Sequence, residues 1–283
     1  MILIADGGST KVDWIALDDK KNEFFRVRTL GLNPAVVSKN ELHNRIVHMF
    51  QLMDVKDEVT KIYFYGAGCG TKKPTEILHN VVQEIFINAK ITIKEDMLAA
   101  VYAASGNNLS LVCILGTGSN SCYFDGEKMH IQTPSLGYSL MDEASGNYFG
   151  KRLLRGYFYQ KMPKKIRTAF EKSYNLEIDD IKLNLYRKSN PNKYLADFAK
   201  FMFTFKEEKY IKKLIKKGFQ KFFTYRVLPL IKSTETPIYF IGSIAHYFKD
   251  ILENVAQKNG LKITGVIQRP IDNLLEFHKK NIN

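Results

Sequence analysis

Short apolar runs separated by polar turns open the chain and predict a β-meander. Runs rich in Ile, Val and Phe that are bounded by Gly, Asp and Asn are typical of strands that reverse direction. Three such runs are Met1–Ala5, Val12–Leu17 and Phe24–Leu30. Apolar residues at a spacing of three and four then predict a helix over residues 42–53. The following elements alternate as in an α/β fold: strand Lys61–Tyr65, a helix beginning near Pro74, strand Ile91–Ile93 and helix Met97–Ser105.

The same order of elements recurs in the second half of the chain. Three predicted strands, Leu109–Leu115, Ser121–Phe124 and Lys128–Gln132, repeat the opening meander. A long helical block near residues 147–230 follows. We therefore predict two α/β domains, residues 1–107 and residues 108–283, with the helical block as an insertion in the second. The last elements predicted are strand Ile238–Ile241, helix Ile244–Lys258, strand Lys262–Val266 and a helix from Pro270.

Composition supports a folded protein with two domains. The chain has 283 residues, of which 45% are hydrophobic, and this is enough to bury a sizeable core. Its longest apolar runs are far shorter than the roughly 20 residues of a membrane helix. Asp6 follows the apolar start with no basic stretch before it, unlike an ordinary signal peptide. Because Cys69, Cys113 and Cys122 form no CxxC pair, we expect no disulfide framework and a cytoplasmic location.

The formal net charge of +13 is concentrated in the second half of the chain. Residues 142–283 contain 28 Lys and Arg against 14 Asp and Glu, whereas residues 1–141 contain 14 against 15. A basic field of this size attracts nucleic acid, anionic lipid or phosphorylated ligands. Lys far outnumbers Arg there, and Arg is the more specific reader of phosphates and bases. We therefore favour a solvated helical surface and expect no specific nucleic-acid partner and no membrane partner.

Three turns rich in glycine and hydroxyl side chains end three of the predicted strands. The first, Asp6–Lys11, lacks the spacing of a P-loop or of the GxGxxG fingerprint, and alone it is more simply an ordinary hairpin. The second, Gly116–Asn120, has the same place in the second half, and the third, Gly242-Ser243, opens a helix. Glycines let backbone amides approach a phosphate, and a helix N-terminus favours an anion. Together the three turns favour phosphate binding over plain hairpins.

One acid stands where a predicted strand passes into a predicted helix. Asp96 follows strand Ile91–Ile93 and precedes the Ala-rich helix Met97–Ser105. A helix N-terminus keeps a carboxylate ionised, as a general base must be. The same position also suits a simple N-cap, so both interpretations stay open at this point.

Further short motifs join these in a fixed order along the chain, and the ordered set resembles the actin/Hsp70/sugar-kinase superfamily. Within it the chain resembles the N-acetylglucosamine kinase group, which shares a family with the BadF/BadG/BcrA/BcrD activator ATPases. Each motif is weak alone, but the order is fairly specific and covers nearly the whole chain. The matching pieces are Asp6–Thr10, Gly31–Pro34, Asp96 with Ala99-Ala100, Gly116–Asn120, Gly137, Asp142-Glu143, Ser145-Gly146 and Gly242–Ala245, and Pro270–Leu274 is similar to the closing segment.

This resemblance implies two actin-like (ribonuclease H-like) domains with a nucleotide and sugar cleft between them, and ATP and Mg²⁺ as ligands. Asp96 matches the catalytic base, and Asp6 matches the acid that holds Mg²⁺, often through water. Of the sugar-binding matches, Asn33 is otherwise a turn residue before Pro34, and Asp142 is otherwise a surface acid. The ATP-binding matches are Gly7, Gly8, Ser9, Thr10, Lys11, Gly116, Thr117, Gly242 and Ser243, and the sugar-binding matches are Asn33, Ser119, Asn120, Gly137 and Asp142.

The activity that the resemblance implies is ATP-dependent phosphorylation of an N-acetylated amino sugar, first of all N-acetylglucosamine, at its 6-hydroxyl. One departure concerns the sugar, because the family has Trp before the glycine that matches Gly137, where this chain has Leu136. Without that aromatic wall, N-acetylmuramic acid and glucosamine are alternative substrates. A BadF-type ATPase and a sugar-binding regulator are alternative functions. The expected partners are the amino sugar and ATP, with a homodimer as a candidate assembly.

Overall fold

The structure, a computed structural model, describes residues 1–188 and 190–282, and the chain forms two compact units. Unit 1 contains Met1–Gly106 together with the chain from Pro270 onward, and unit 2 contains Asn107–Arg269. Each unit has one five-stranded sheet with helices. The predicted α/β class with two domains is therefore confirmed.

Unit 1 begins with the predicted meander. Its strands are β1 (Ile2–Gly7), β2 (Lys11–Leu17), β3 (Glu23–Leu30), β4 (Lys61–Gly66) and β5 (Lys90–Glu95), and its first helices are α1 (Lys39–Val47), α2 (Phe50–Asp54), α3 (Lys72–Ile85) and α4 (Asp96–Ser105). The sheet order is β3-β2-β1-β4-β5. Because β1 is antiparallel to β2 but parallel to β4, which is parallel to β5, the carboxyl ends of β1, β4 and β5 lie at the same end of the sheet.

Alternating side chains of the central strands form two apolar faces in unit 1. Leu3 and Trp14 lie on the face that α1 and α3 cover, whereas Ile4 and Ile15 lie on the opposite face with α4. Trp14 is fully buried and donates its indole N–H to Thr29 Oγ1 at 3.0 Å. The one polar atom of this large core ring is thus paired, as buried indoles require.

Unit 2 repeats the sheet topology of unit 1. Its strands are β6 (Ser110–Leu115), β7 (Ser119–Phe124), β8 (Met129–His130), β9 (Ile238–Ile241) and β10 (Gly265–Ile267), in the order β10-β9-β6-β7-β8. The central strand β6 is antiparallel to β7 and parallel to β9, just as β1 is antiparallel to β2 and parallel to β4. Each sheet is therefore a three-stranded meander extended by two parallel strands.

The predicted helical block lies between β8 and β9. Its helices are α5 (Gly146–Phe158), α6 (Lys164–Ser173), α7 (Ile178–Tyr186), α8 (Pro191–Ala199), α9 (Phe201–Thr204) and α10 (Lys209–Phe222), followed by a π-helical turn (Phe223–Val227) and a 3-10 turn (Leu228–Leu230). After β9 come α11 (Ser243–Tyr247) and α12 (Lys249–Lys258). Helices α5 and α8 approach closely, since a Cβ atom on Gly150 would lie 1.8 Å from Leu195 O. Buried Phe residues fill the core of this unit.

The last helix, α13 (Ile271–Asn281), corrects the predicted domain assignment. We predicted residues 108–283 as one domain, but α13 packs on unit 1. Asn273 Nδ2 donates to Ala103 O at 2.9 Å, and the Phe277 ring stacks on Tyr102 at 4.1 Å. The physical reason is the second apolar face of the first sheet, which is covered by Ile271, Leu274 and Leu275.

Several predicted elements differ in their bounds, and the helix predicted over residues 42–53 is two helices, α1 and α2. The predicted helix Ile244–Lys258 is divided into α11 and α12 at Phe248, whose buried ring packs against Phe203 at 5.4 Å. The strand predicted over Lys262–Val266 begins later, as β10, because the chain pairs with β9 only from Gly265 onward. The strand predicted over Lys128–Gln132 pairs with β7 only at two residues, Met129 and His130.

Several lysines of the second half lie on exposed helix surfaces. In α10, Ile211, Ile215 and Phe219 are buried, whereas Lys213 and Lys217 are exposed. Among the described residues no helix is both long enough and apolar enough to cross a bilayer. The expected lack of specific nucleic-acid and membrane partners stays a prediction, and so does the cytoplasmic location.

The buried histidine of α13 is expected to make unit 1 sensitive to acid. His278 Nε2 lies 3.0 Å from Tyr65 Oη, and burial lowers the pKa of His278 from 6.5 to about 4. The unfolded chain therefore binds the proton first, so the stability is full above about pH 6.5 and falls by up to about 3 kcal/mol as the pH drops towards 4.

We expect His278→Gln to remove this dependence in urea unfolding followed by circular dichroism between about pH 7 and pH 4. His48→Gln, at an exposed position of unit 1, is the matched control and should keep the dependence of the parent protein. Equal pH dependence in all three proteins would contradict this role of His278.

Candidate active site

The first glycine turn closes the hairpin between β1 and β2. Gly8 N donates to Lys11 O at 2.8 Å. A Cβ atom on Gly7 would lie 2.8 Å from the Phe64 ring, which is closer than real contacts allow, whereas one on Gly8 would meet only ordinary contact distances. Packing against Phe64 therefore explains the glycine at position 7. Gly8 is not constrained in this way, and it lies with Ser9 and Thr10 at the tip of the turn.

The next loop of unit 1 lies against this turn. Gly31 N donates to Thr10 O at 3.0 Å, and a Cβ atom on Gly31 would lie 2.2 Å from Ser9 O, so a larger residue does not fit. Asn33 Nδ2 donates to Ser9 Oγ and Asn33 Oδ1 accepts the Ala35 amide, both at 2.9 Å. Asn33 thus stabilises the turn, and because an amide has two N–H donors, one remains for a ligand. Its contact with the sugar stays a prediction.

Lys11 forms an ion pair beside the turn. Its Nζ lies 3.1 Å from Asp13 Oδ2, and Arg28 Nε donates to Asp13 Oδ1 at 2.5 Å. Burial acts to raise the pKa of Asp13, but these two hydrogen bonds hold it below its ordinary value. This carboxylate partner of Lys11 was not predicted from the sequence. The contact of Lys11 with ATP stays a prediction.

Two acids lie at the carboxyl ends of the parallel strands. Asp6 is near the end of β1, and Asp96 begins α4 directly after β5. Burial raises the pKa of Asp6 to about 7, and the charges of Asp96 and Asp13 act in the same direction. Burial and then the charge of Glu95 raise the pKa of Asp96 to about 6, although the amides of Met97 and Asp96 itself donate hydrogen bonds that lower it. Both side chains keep part of their surface accessible, and they are close enough for their charges to interact.

Glu95, the last residue of β5, was not predicted as part of the site. Its Oε2 lies 3.0 Å from the place that a Cβ atom would take on Gly70, and burial raises the pKa of its carboxyl group. The loop Gly66–Gly70 also approaches Asn33, because a Cβ atom on Gly68 would lie 2.0 Å from Asn33 Oδ1. The signal for this loop was the alternation of three glycines directly after a strand.

In unit 2, helix α5 begins on the second glycine turn. This turn joins β6 to β7, and Gly116 N donates to Gly118 O at 3.0 Å. The first amides of α5, Gly146 N and Asn147 N, donate to Gly116 O at 2.8 Å and to Thr117 O at 3.0 Å. A Cβ atom on Gly116 would meet nothing within 4 Å. Backbone bonds therefore hold the turn in place while one side of Gly116 stays open.

Asp142 reaches the same turn from the loop before α5. Its Oδ1 accepts the Ser119 amide at 3.2 Å, and its Oδ2 accepts Asn147 Nδ2 at 2.8 Å. Its φ of +68° lies in the left-handed region, which non-glycine residues seldom adopt and which is common at functional sites. Burial raises its pKa, although these hydrogen bonds act in the opposite direction. Since the side chain is buried, the alternative interpretation of Asp142 as a surface acid is wrong.

The hydroxyl of Ser119 is buried in the same turn and has no hydrogen-bond partner among the described residues. An unpaired buried polar group costs about 1–3 kcal/mol, so a ligand that pairs with it would be favoured. The neighbouring Asn120 uses its Oδ1 to accept the Ser121 amide at 2.9 Å, which leaves its amide nitrogen as a donor. This part of the turn can therefore bind a ligand rich in hydroxyl groups.

The third turn packs directly on the second. Gly242 has a φ of +115°, and a Cβ atom there would lie 2.4 Å from Leu115 O and 3.2 Å from Gly116 N. Its own N–H donates to Ile267 O at 2.9 Å. Ser243, the first residue of α11, follows at once. The structure thus brings Gly242-Ser243 next to Gly116, as binding of one ligand by both turns requires.

Gly137 lies in an irregular segment, residues 131–141, that precedes Asp142. It has a φ of +77°, and its carbonyl accepts the amides of Leu140 at 3.3 Å and Met141 at 2.9 Å. These bonds form a turn within the segment, next to Leu136, which is 57% exposed. The structure shows how Gly137 shapes the segment, and its contact with the sugar stays a prediction.

One of the acids, Asp6, fits a magnesium ion whose remaining ligands would be water and nucleotide phosphates. In the described part of the chain, no group of three or more His, Cys, Asp or Glu side chains is arranged to hold a metal. Mg²⁺ keeps several waters and binds one or two carboxylates together with substrate phosphates. Asp6 suits this pattern, because the repulsion from Asp96 that helps to raise the pKa of Asp6 would be relieved by a divalent cation.

Several solved structures similar to this chain are described as sugar kinases. No protein-family model and no curated protein sequence matches it. A protein from Porphyromonas gingivalis, described as a putative N-acetylglucosamine kinase, is 34% identical, with a TM-score of 0.91 over 99% of each chain. A protein of the same description from Chromobacterium violaceum is 13% identical, with a TM-score of 0.78 over 98% of each chain. A ROK family glucokinase from Streptomyces griseus, solved with glucose and AMPPNP, is 12% identical, with a TM-score of 0.59 over 99% of this chain and 98% of that one.

The fold, with its two five-stranded sheets, is that of the actin-like sugar kinases. The two structures at 12% and 13% identity support the fold alone. At 34% identity over almost the full length of both proteins, the chain belongs to the same family as the putative N-acetylglucosamine kinase of P. gingivalis. The relation to the BadF/BadG/BcrA/BcrD ATPases stays a prediction.

Two glycines that the sequence analysis assigned to ATP binding are expected to differ in their effect on stability. Gly242→Ala adds a Cβ atom 2.4 Å from a carbonyl at a positive φ, so we expect a loss of about 2 kcal/mol or more. Gly116→Ala meets open space and should change stability by less than about 0.5 kcal/mol. Urea unfolding of both variants measures the difference, and equal losses would contradict this distinction.

Proposed function

We propose that the protein is an ATP-dependent sugar kinase whose general base is Asp96. The observation that carries the proposal is the placement of this residue, which begins α4 directly at the end of β5, where its carboxylate lies beside the first backbone amides of the helix. With a pKa of about 6 the carboxylate is ionised at neutral pH yet basic enough to accept a proton. The family relation to the P. gingivalis protein supports the same class of reaction.

In the proposed reaction, Asp96 accepts the proton of a sugar hydroxyl while that oxygen attacks the γ-phosphorus of ATP. The bond between the γ-phosphorus and the bridging oxygen breaks, and ADP leaves with that oxygen. Asp96 later releases the proton to solvent. The amides at the start of α4 keep the carboxylate oriented, which is the main contribution a protein makes to phosphoryl transfer.

Phosphate binding is proposed for the two hairpin turns, with Gly7, Gly8, Ser9, Thr10 and Lys11 in unit 1 and Gly116 and Thr117 in unit 2. The open side of Gly116 supports this role, because a ligand can approach the backbone there. Gly242 and Ser243 would bind the adenosine side. Asp6 would hold Mg²⁺, which supplies positive charge to neutralise the phosphate oxygens. The glucokinase from S. griseus was solved with AMPPNP, an ATP analogue, and this supports ATP as the phosphate donor.

The proposed acceptor is an N-acetylated amino sugar, first of all N-acetylglucosamine, phosphorylated at its 6-hydroxyl. A buried carboxylate, an unpaired hydroxyl and an amide, from Asp142, Ser119 and Asn120, suit a ligand that offers several hydroxyl groups. Sites of this kind discriminate strongly against analogues that lack the partner group. Asn33 and Gly137 complete the proposed set. The description of the P. gingivalis relative supports this acceptor, with N-acetylmuramic acid and glucosamine as alternatives.

Asp96→Asn is expected to lower kcat by about 100-fold or more, because the amide cannot accept the proton. In the parent enzyme kcat/KM, which reports the ionisation of the free enzyme, should fall as the pH drops through about 6, where Asp96 becomes protonated. Glu95→Gln is the matched control: it should stay active, and its pH profile should move to lower pH because one nearby negative charge is removed. Steady-state kinetics with N-acetylglucosamine, ATP and Mg²⁺ measures all three profiles, and parental turnover by Asp96→Asn would exclude Asp96 as the base.

Leu136→Trp is expected to narrow the range of accepted sugars towards N-acetylglucosamine. Leu136 is 57% exposed, so the larger ring does not disturb the core and can wall the sugar. The ratio of kcat/KM for N-acetylglucosamine over N-acetylmuramic acid should rise by about 10-fold or more. Leu140→Trp, which changes an even more exposed leucine of the same segment, is the control and should keep the parental ratio. An unchanged ratio in Leu136→Trp would mean that this position does not line the sugar site.

A further inference from the structure

The irregular segment of residues 131–141 is closed at its base by one buried side chain. Arg226 Nη1 donates to Thr133 O at 2.7 Å, and Nη2 lies 3.2 Å from Met141 Sδ. A single guanidinium thus contacts both ends of the segment, while Leu136 in its middle is 57% exposed. Without such a contact, ordering an irregular exposed segment would cost considerable conformational entropy.

The backbone of the same residue is bonded to the strand that follows the second glycine turn. Arg226 lies in the π-helical turn, and its carbonyl accepts the Ser121 hydroxyl at 2.8 Å. Single π-helical turns redirect side chains and are frequent at functional sites. Ser121 lies in β7, directly after Ser119 and Asn120. Arg226 therefore connects the strand that carries two proposed sugar ligands to the segment that carries Gly137.

The charge of Arg226 is buried near Asp142, where it acts against the burial that raises the pKa of that carboxyl group, but its hydrogen bonds go elsewhere. The residue is 2% exposed, and the described partners of its guanidinium are a carbonyl oxygen and a thioether rather than a carboxylate. Burying a charge is costly, and an apolar side chain would fill the same place without that cost. The position therefore needs what only a guanidinium provides, which is several N–H donors in one rigid plane.

A second cation holds the middle of the segment. Lys151 Nζ, from α5, donates to Tyr138 O. Helix α5 also carries Asn147, which donates to Asp142. The same helix therefore contacts both the middle of the segment and the acid that follows it. Two cations from different elements thus fix carbonyl groups of a segment that has no regular secondary structure of its own.

We infer that Arg226 is a positioning residue for the acceptor sugar. By holding residues 133 and 141 against β7, it keeps Gly137 and Asp142 at a fixed distance from Ser119 and Asn120. The inference rests on the proposed function for the identity of the ligand, and the contact with the segment itself is independent of it.

Hydrogen–deuterium exchange of the protein without ligand tests the contact directly. In Arg226→Met, exchange in peptides covering residues 131–141 should rise by about 10-fold or more, while exchange in α5 and β6 stays at the parental rate. Arg155→Met makes the same change at an exposed residue of unit 2 and is the control. Parental exchange in the segment of Arg226→Met, or faster exchange throughout unit 2, would overturn the inference.

Kinetics test the consequence for the sugar. Arg226→Met should raise KM for N-acetylglucosamine by about 10-fold or more and KM for ATP by less than about 3-fold, since misplacement affects only the acceptor. Arg226→Lys, which keeps one donor for Thr133 O, should recover part of the sugar KM. Parallel changes in both KM values would show a merely structural role and overturn the inference.

Two outcomes need a separate test: a parent enzyme that does not phosphorylate amino sugars, and an Arg226→Met variant that does not fold. If the parent enzyme phosphorylates no amino sugar, the proposed function fails, and the exchange experiment alone decides whether Arg226 orders the segment. If Arg226→Met does not fold, Met141→Leu removes the thioether contact without removing the charge. Faster exchange of residues 131–141 in Met141→Leu supports the inference, and parental exchange overturns it.

Discussion

Two backbone hydrogen bonds, from the first amides of α5 to the carbonyls of Gly116 and Thr117, hold together the proposed site in unit 2. Asn147 provides one of these amides, and its side chain in turn bonds Asp142. Asp142 then accepts the amide of Ser119, which lies on the far side of the same turn. Because the links between the helix and the turn are made by the backbone, they do not depend on any one side chain. The side chains around the turn can therefore differ from one sugar specificity to another without loss of these links.

Unit 1 positions its acids by a different means. The parallel strands β1 and β5 end at the same end of the sheet, and this brings Asp6 and Asp96 together although their charges repel. Burial raises the pKa of both acids, with the charge of Asp96 adding to the shift of Asp6 and the charge of Glu95 to that of Asp96, and such shifts are typical of sites that accept a cation or a proton. One unit thus offers a rigid set of hydrogen-bonding groups, and the other offers carboxylates held in an unfavourable state.

Local patterns predicted much of this arrangement, because the features concerned are local. The meanders, the glycine turns and the junction at Asp96 each depend on a few consecutive residues. The location of α13 could not be predicted, because apolar residues at helical spacing show that a helix covers a sheet but not which sheet. The contacts of Arg226 were missed for a similar reason: Thr133 and Met141 lie 93 and 85 residues before it in the chain. Asn147 was missed because its partner, Asp142, reaches it only through a left-handed backbone conformation.

The return of the chain to unit 1 has a consequence for synthesis on the ribosome. Unit 2 is one continuous stretch, Asn107–Arg269, whereas unit 1 needs both its first residues and α13. Until Ile271, Leu274 and Leu275 emerge, the sheet face that carries Ile4 and Ile15 lacks part of its cover. Exposed apolar surface of this kind is what chaperones bind and what leads to aggregation during translation. The unit that is synthesised first is therefore the one that can be completed only last.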